Sequence, residues 1–265
     1  MLKTLATRKS LLATLAAAVL ASSLVVAGAA GGAKPTVVRA GNLVLKLNGD
    51  VAPKALPKKK MAPIALRISS DISTVDGSHP PAARTVIADF DKHGRVNAKG
   101  LPVCRSGQLQ SRNTTAAKKA CPKAIVGSGK TTVRVQFPEQ RPFYASGPLV
   151  LFNGGVRGKV TTMYIHAYVS VPAPTAIVTQ VKIKPVRKGR FGTRAIATIP
   201  KIAGGSGSVT RFAMKIQRNF RYKGKKQSYL LARCANGRFF AKGNVAFADG
   251  TRVTGTVIRS CRSKG

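Results

Sequence analysis

Apolar and polar residues alternate with a period of two along most of this chain, which is the pattern of a β-strand with one buried face. The clearest example surrounds Asp249-Gly250, where residues 237–248 and 251–261 both alternate. An Asp-Gly pair tolerates the positive φ angles of a tight turn, so this unit is predicted to be a β-hairpin. Cys234 stands just before its first run and Cys261 ends its second.

Similar runs predict further strands along the chain, and no long segment has helical periodicity. These strands are predicted at residues 42–48, 64–73, 84–90, 94–98, 131–137, 148–152, 161–171, 176–184, 194–199 and 209–220. Asn153-Gly154 is predicted to form another tight turn. We therefore expect an all-β fold, an antiparallel sandwich-type domain over residues 42–265 after a linker at 31–41. Two β domains divided near residue 125 are the alternative.

The first 30 residues have the form of a secretory signal peptide. Lys3, Arg8 and Lys9 precede an apolar run at residues 11–26, and Ala27-Gly28-Ala29 fits a cleavage site. An uncleaved membrane anchor is the alternative, because the apolar run approaches the length that spans a bilayer. The sequence therefore predicts an exported protein, extracellular or at the cell surface after cleavage.

The chain has four cysteines, an even number that is typical of disulfides in an exported protein. Of the three possible pairings we expect the one that is local in sequence, Cys104–Cys121 and Cys234–Cys261. The first bond would close a short loop at residues 104–121, which lacks alternation and contains helix-favouring residues at 116–120. We expect one or two helical turns there. The spacing does not match a zinc site, so no metal is predicted.

Charge changes the picture more than any motif, because the chain contains 46 Lys and Arg against 7 Asp and Glu, a net charge of +39. Such a field attracts polyanions. The anion-binding candidates are basic residues clustered in three predicted turns: Lys58, Lys59, Lys60, Arg187, Lys188, Arg190, Arg221, Lys223, Lys225 and Lys226. The alternative is that these runs are only solvated loops.

The chain contains only weak matches to motifs of catalytic or ligand-binding sites. Residues 124–131 fit a relaxed P-loop pattern, but an alternating strand follows them where phosphate binding needs a helix, so no nucleotide is expected. Asp89 and Asp91 are spaced to share a strand face, and His166 lies in a strand between Tyr164 and Tyr168. Turn chemistry and a half-exposed sheet face explain these residues, so no catalytic residue and no cofactor is predicted.

Several segments resemble a group of uncharacterised exported proteins of actinobacteria, and the resemblance covers most of the chain after the signal. The segments are Gly41-Asn-Leu-Val-Leu, Leu56-Pro-Lys-Lys-Lys-Met-Ala-Pro63, Cys121-Pro with Val126-Gly-Ser-Gly129, Phe152-Asn-Gly-Gly155, Ile199-Pro-Lys-Ile-Ala203 and Ser228-Tyr-Leu-Leu-Ala-Arg-Cys234. The resemblance implies an exported, β-rich protein with two cysteine pairs. It implies no activity and no site residues.

The sequence thus favours a non-enzymatic exported protein with a strongly basic surface that binds anionic envelope polymer or a membrane surface. An exported hydrolase that uses Asp89, Asp91 or His166 is one alternative. An exported nucleic-acid-binding protein is another, with Tyr222, Phe239 and Phe240 as its only aromatic candidates.

Overall fold

The computed structural model of the protein describes residues 34–171 and 173–264. The predicted signal peptide at residues 1–30 lies outside them. Ala33–Gly265 form one compact unit. Strands dominate this unit, as the period-two pattern predicts, and the all-β fold class is confirmed.

The strands follow one another along the chain with mostly short connections. In chain order they are β1 (Thr36–Ala40), β2 (Leu43–Ala52), β3 (Ala55–Pro57), β4 (Ala62–Pro63), β5 (Ala65–Thr74), β6 (Ala83–Asp91), β7 (Gly94–Val96), β8 (Ile125–Val135), β9 (Phe143–Arg157), β10 (Val160–Val169), β11 (Thr175–Lys188), β12 (Phe191–Thr198), β13 (Gly207–Ile216), β14 (Asn219–Tyr222), β15 (Lys225–Ser228), β16 (Leu230–Ala232), β17 (Arg238–Phe247), β18 (Arg252–Ser260) and β19 (Arg262–Lys264). One α-helix, α1 (Thr114–Ala120), and three short 3₁₀ turns, Ser106–Gln108, Pro122–Ala124 and Ala203–Gly205, complete the described elements.

Twelve strands form one sheet in the order β1-β2-β5-β13-β8-β9-β10-β11-β12-β6-β17-β18. All of its neighbouring strands are antiparallel. The sheet curls until its two edge strands meet, with the Thr36 hydroxyl donating to the carbonyl of Thr256 at 3.3 Å. Arg259 crosses the same seam and donates through Nε to the Gly49 carbonyl at 2.6 Å. We call this sheet the rolled sheet.

The rolled sheet corrects the sandwich-type prediction, because one sheet encloses the core where two facing sheets were expected. The short strands β3, β4, β7 and β16 fill part of its interior. Leu56 and Leu230 from this filling, together with Tyr229 just before β16, pack against Leu151 and Met163 of the sheet. Alternation predicts which side chains are buried, but a buried face looks the same in a sandwich and in a roll.

Two local predictions are also wrong. Residues 36–40 of the predicted linker form β1, because Val38 and Ala40 pack against the buried core beside β2. Asn153-Gly154 lies inside β9 and forms no turn; the register shifts there, so the pair makes a bulge opposite β10. The chain turns instead at Gly158, whose φ is 58°.

The predicted C-terminal hairpin is present as β17 and β18, and Asp249 and Gly250 lie in its turn. Asp249 accepts hydrogen bonds from the backbone N–H of Thr251 at 3.0 Å and from its hydroxyl at 2.8 Å. The Cys234–Cys261 disulfide closes the unit as predicted. Both cysteines are buried in the interior core, so the bond joins the hairpin to the filling of the rolled sheet.

The Cys104–Cys121 disulfide is also present, and it closes a loop that contains α1 and a 3₁₀ turn. The helix begins after Asn113, whose side chain accepts from the N–H of Ala116 at 2.8 Å, an N-cap contact. This stapled loop covers the outer face of β9 and β10, where Leu109 and Ala117 pack against Val150 and Phe152. The predicted short stapled loop with helical turns is therefore confirmed.

Candidate anion-binding surface

Because neighbouring strands are antiparallel, every connection begins and finishes at one of two ends of the rolled sheet. At the first end β2, β6, β9, β11, β13 and β18 finish, and at the second end β1, β5, β8, β10, β12 and β17 finish. The first end holds the connections 53–64, 92–124, 158–159, 189–190 and 217–237 and the terminal segment 261–264. The second end holds 41–42, 75–82, 136–142, 170–174, 199–206 and 248–251.

Charge is divided unequally between these two ends. The connections that begin at the first end carry 22 Lys and Arg residues and no Asp or Glu. Four of the 22, Arg105, Arg112, Lys118 and Lys119, belong to the stapled loop on the outer face of β9 and β10, and the other 18 lie outside that loop. The described connections of the second end carry Arg141 and Lys201 against Asp76, Glu139 and Asp249. We call the first end the basic end and the second the opposite end. Basic residues that are spread along the sequence therefore lie together at one end, because the strand directions decide which connections share an end.

The ten predicted anion-binding residues all lie at the basic end and are exposed. Lys58, Lys59 and Lys60 form the turn between β3 and β4. The second group, Arg187, Lys188 and Arg190, surrounds the tight turn between β11 and β12. The third group, Arg221, Lys223, Lys225 and Lys226, belongs to the β14–β15 hairpin, which packs on the loop before the stapled segment through Tyr222 and Gly100.

Beside the second group, the outer face of the rolled sheet forms a groove of about 520 Å³. Direct cross-strand pairing aligns Arg194 of β12, Asp89 of β6 and Lys242 of β17 in one row along its floor. Lys184 of β11 pairs with Arg194 and continues the row beyond the groove. Lys188 and Arg190 border it from the turn. Sequence reasoning missed Arg194 and Lys242, because single basic residues on separate strands become neighbours only through a register that composition does not reveal.

An ion pair fixes the centre of this groove. Arg194 donates through Nε to Oδ1 of Asp89 at 2.6 Å and through Nη2 to Oδ2 at 2.8 Å, a bidentate arrangement. These hydrogen bonds hold the pKa of the buried Asp89 carboxyl below its ordinary value, and the charges of Arg194, Lys188 and Lys242 act in the same direction. Asp89 is therefore an ionised partner of Arg194, and the groove keeps an excess of positive charge.

Arg190 is also held in a defined position. Its guanidinium carbon lies 4.1 Å from the centre of the Phe240 ring, close enough for a cation–π contact. Across the groove Asn244 donates to the Thr254 hydroxyl oxygen at 2.8 Å, which leaves the Thr254 O–H to donate elsewhere. The groove thus presents several hydrogen-bond donors around one carboxylate that is already occupied.

The residues that the hydrolase alternative requires are not brought together. Asp89 is held by Arg194, while Asp91 accepts from the His93 N–H at 2.9 Å and lies 2.8 Å from Nδ1 of the same histidine. His166 lies on β10, three strands from β6, and the stapled loop buries it. Its Nε2 contacts the Arg112 carbonyl oxygen at 2.9 Å.

The P-loop-like segment runs from a 3₁₀ turn into β8, without the loop-to-helix geometry that phosphate binding requires. A side chain at Gly127 or Gly129 would place Cβ 2.4 Å from the Lys215 carbonyl or 2.1 Å from the Ala213 carbonyl. These glycines therefore allow β13 to approach β8 closely. Their role is structural, as the strand after them suggests.

Among residues 34–171 and 173–264, no group of three or more His, Cys, Asp or Glu side chains is placed to hold a metal ion. No helix in this part of the chain is long and apolar enough to cross a membrane. The two disulfides indicate an oxidising environment outside the cytoplasm.

Comparisons with family models, with curated proteins and with solved structures found no match. The resemblance to exported actinobacterial proteins therefore stays a prediction. The function of the protein has to be inferred from the geometry and charge of the basic end and of the groove beside it.

Proposed function

We propose that this is a non-enzymatic exported protein that acts at the cell surface and binds anionic envelope polymer or lipid through its basic end. The observation that carries the proposal is the difference in charge between the two ends. The connections of the basic end contain no Asp or Glu, whereas acids outnumber bases in the described connections of the opposite end. A field of this kind draws a polyanion to one end of the molecule. The two disulfides fit an exported protein.

The alternatives have less support from the geometry. A hydrolase needs two catalytic groups within hydrogen-bond reach of one substrate, whereas Asp89, Asp91 and His166 each have a separate structural partner. Binding of single-stranded nucleic acid needs accessible aromatic rings. Phe239 packs against the core, Tyr222 packs on Gly100, and Arg190 covers one face of Phe240.

The proposal is tested by retention of the purified protein on isolated cell envelopes at increasing salt concentration. We expect retention that falls steeply with salt, because screening weakens attraction between exposed charges. Replacing Lys225 and Lys226 by Gln should reduce retention by about threefold or more at low salt, since charges at the basic end lie nearest the polymer.

The matched control replaces Arg141 and Lys201 by Gln, which removes the same charge from the opposite end. We expect this variant to bind nearly as well as the parent protein. Equal losses in the two variants would mean that only net charge matters. Retention that does not respond to salt would contradict the proposal altogether.

A further inference from the structure

We infer that the groove between β12, β6 and β17 binds the phosphate groups of a phosphodiester polymer, such as a polyol-phosphate chain of the envelope. This inference rests on the proposed function and gives it a chemically defined subsite. Its main residues are Lys188, Arg190, Arg194 and Lys242, which surround the carboxylate of Asp89.

The charge of the groove fits a phosphate group. Four cations and one carboxylate leave three positive charges around the space. Asp89 does not oppose an incoming anion strongly, because Arg194 occupies both of its oxygens. The ion pair also fixes the Arg194 side chain, which keeps its Nη1 group and one Nη2 hydrogen free to donate. An arginine held in this way loses little side-chain entropy when it binds an anion.

The directions of the donors favour a tetrahedral anion over a planar one. Arg194 and Lys242 rise from the floor on strands β12 and β17, which lie about 10 Å apart at ordinary strand spacing. Lys188 and Arg190 approach from the turn at the basic end, and Thr254 from β18. Donors on several sides match the oxygens of a phosphate, whereas a carboxylate presents two oxygens in one plane.

The position of the groove favours a polymer over a lipid surface. The groove lies on the side wall of the rolled sheet, on the outer face of strands β12, β6, β17 and β18. A flat membrane would first meet the protruding connections of the basic end. A flexible chain can bind at the basic end and continue along the wall, with Lys184 next in the row. Phosphate contacts from Lys and Arg give affinity without sequence information, as suits a repeating polymer.

The direct test is an NMR titration of the parent protein with inorganic phosphate and with soluble poly(glycerol phosphate), observing the Arg Nε–Hε signals. We expect the signals of Arg190 and Arg194 to shift at lower ligand concentration than those of Arg211 on β13. A chloride salt at the same ionic strength should not reproduce these shifts. Equal responses of all exposed arginines would overturn the inference.

A pair of double variants tests the same site by affinity. Arg190→Met with Lys242→Met should weaken binding of poly(glycerol phosphate) at least tenfold. The control, Lys130→Met with Lys215→Met, removes two exposed charges across the rolled sheet and should weaken binding less than twofold. Both pairs are exposed, and circular dichroism checks that each variant is folded. Equal losses of affinity in the two double variants would mean that diffuse charge attraction, and not a defined subsite, accounts for binding.

Further measurements distinguish the two sources of the phosphate, a polymer and a lipid. They also distinguish a failure of this inference from a failure of the proposed function. We expect weaker binding to a carboxylate polymer of equal charge and to phosphatidylglycerol vesicles than to poly(glycerol phosphate). Tighter binding to vesicles would assign the phosphate to lipid and overturn the polymer inference. If the Arg190/Lys242 variant is still retained on envelopes like the parent, the subsite is wrong while the proposed function stands. Absence of any retention by the parent protein contradicts both.

Discussion

His166 is a titratable side chain with no access to solvent. The stapled loop covers it, Nε2 contacts the Arg112 carbonyl, and Nδ1 has no hydrogen-bond partner among the residues that the structure describes. Burial lowers the pKa of His166 below its ordinary value of 6.5, against a smaller opposing effect of the Arg112 carbonyl. The neutral imidazole is therefore the form that the folded protein accommodates.

This environment predicts that acid weakens the fold through His166. Its contribution to stability is complete above about pH 6.5 and is lost as the pH falls through the unfolded-state pKa toward the folded one. The loss cannot exceed about 1.4 kcal/mol per pH unit for one histidine. Urea unfolding at about pH 7.5 and 5 measures it.

The matching variant is His166→Gln, which keeps a donor for the Arg112 carbonyl but does not titrate. We expect it to lose less stability than the parent between the two pH values. His79→Gln serves as a comparison, because burial and Arg134 lower the pKa of His79 too. A parent and a His166 variant with the same pH dependence would show that His166 contributes nothing to acid sensitivity.

At the scale of elements, the two disulfides hold different parts of the molecule. Cys104–Cys121 closes a loop that packs on the outside of β9 and β10, whereas Cys234–Cys261 lies in the interior core. Ser263 also donates to the Cys234 carbonyl at 2.7 Å, and β19 pairs with β3 beside the second bond. The second disulfide therefore connects the last sheet strand to the filling of the rolled sheet.

We predict that loss of the two disulfides has different consequences. The sequence separations of 17 and 27 correspond to about 3 and 3.5 kcal/mol in the chain-entropy description. Replacing Cys234 and Cys261 by Ala should lower the global unfolding free energy by about that amount, measured by thermal or urea unfolding.

The comparison variant replaces Cys104 and Cys121 by Ala. We expect it to expose the stapled loop to proteolysis while the rolled sheet still unfolds as one unit, because the loop lies outside the main core. If this variant lowers global stability more than the Cys234/Cys261 variant, the stapled loop is part of the cooperative core and the distinction is wrong.

Sequence patterns predicted most strands and both disulfides because these depend on local information. A period of two is visible within ten residues, and nearby cysteines favour local pairing. The order of strands is different in kind: β6 pairs with β12 and β17, each about a hundred residues or more away. Such pairs decide between a sandwich and a roll, and they also place Asp89 between Arg194 and Lys242. The groove could therefore not be predicted without the register.

Asn153 illustrates a local signal that tertiary contacts override. Asn-Gly favours a tight turn, yet the Asn153 side chain is fully buried and donates to the carbonyls of Leu101 and Pro102 at 3.2 and 3.0 Å. Its carbonyl accepts from the Cys104 N–H at 2.8 Å. These bonds join the start of the stapled loop to β9, which explains why the pair is retained as a bulge within a strand.

For the whole molecule, the gathering of charge at one end has an energetic cost in the free protein. The cations of the basic end repel one another, and the connections there contain no acid, although Asp50 on β2 pairs with Lys54. The rolled sheet nevertheless brings them together, since the strand directions fix which connections share an end. A polyanion that binds the folded form relieves this repulsion and should stabilise the protein.

We therefore predict that salt raises the melting temperature. Screening shortens the range of charge repulsion from about 30 Å at 0.01 M to about 3 Å at 1 M. Relief of about 2 kcal/mol would raise the melting temperature by about 4–8 °C for a protein of this size. Differential scanning calorimetry in sodium chloride measures the effect.

The variant with Lys58, Lys59 and Lys60 replaced by Gln provides the control for this prediction. It should melt at a higher temperature than the parent in low salt and should gain less from added salt. A melting temperature that falls with salt in the parent would mean that attractive charge contacts outweigh the repulsion.

The seam between β1 and β18 is held together differently from the other strand pairs of the rolled sheet. Every other neighbour in the ring is joined by backbone hydrogen bonds, whereas within the described chain the seam is held by side chains such as Thr36 and Arg259. β1 is paired by backbone hydrogen bonds with β2 alone, so those of its amide protons that face the seam should exchange with solvent before those of β8 or β9, which are paired on both sides. An opened seam also presents unpaired strand edges, which makes it the place where two copies of the chain would first associate during storage at high concentration.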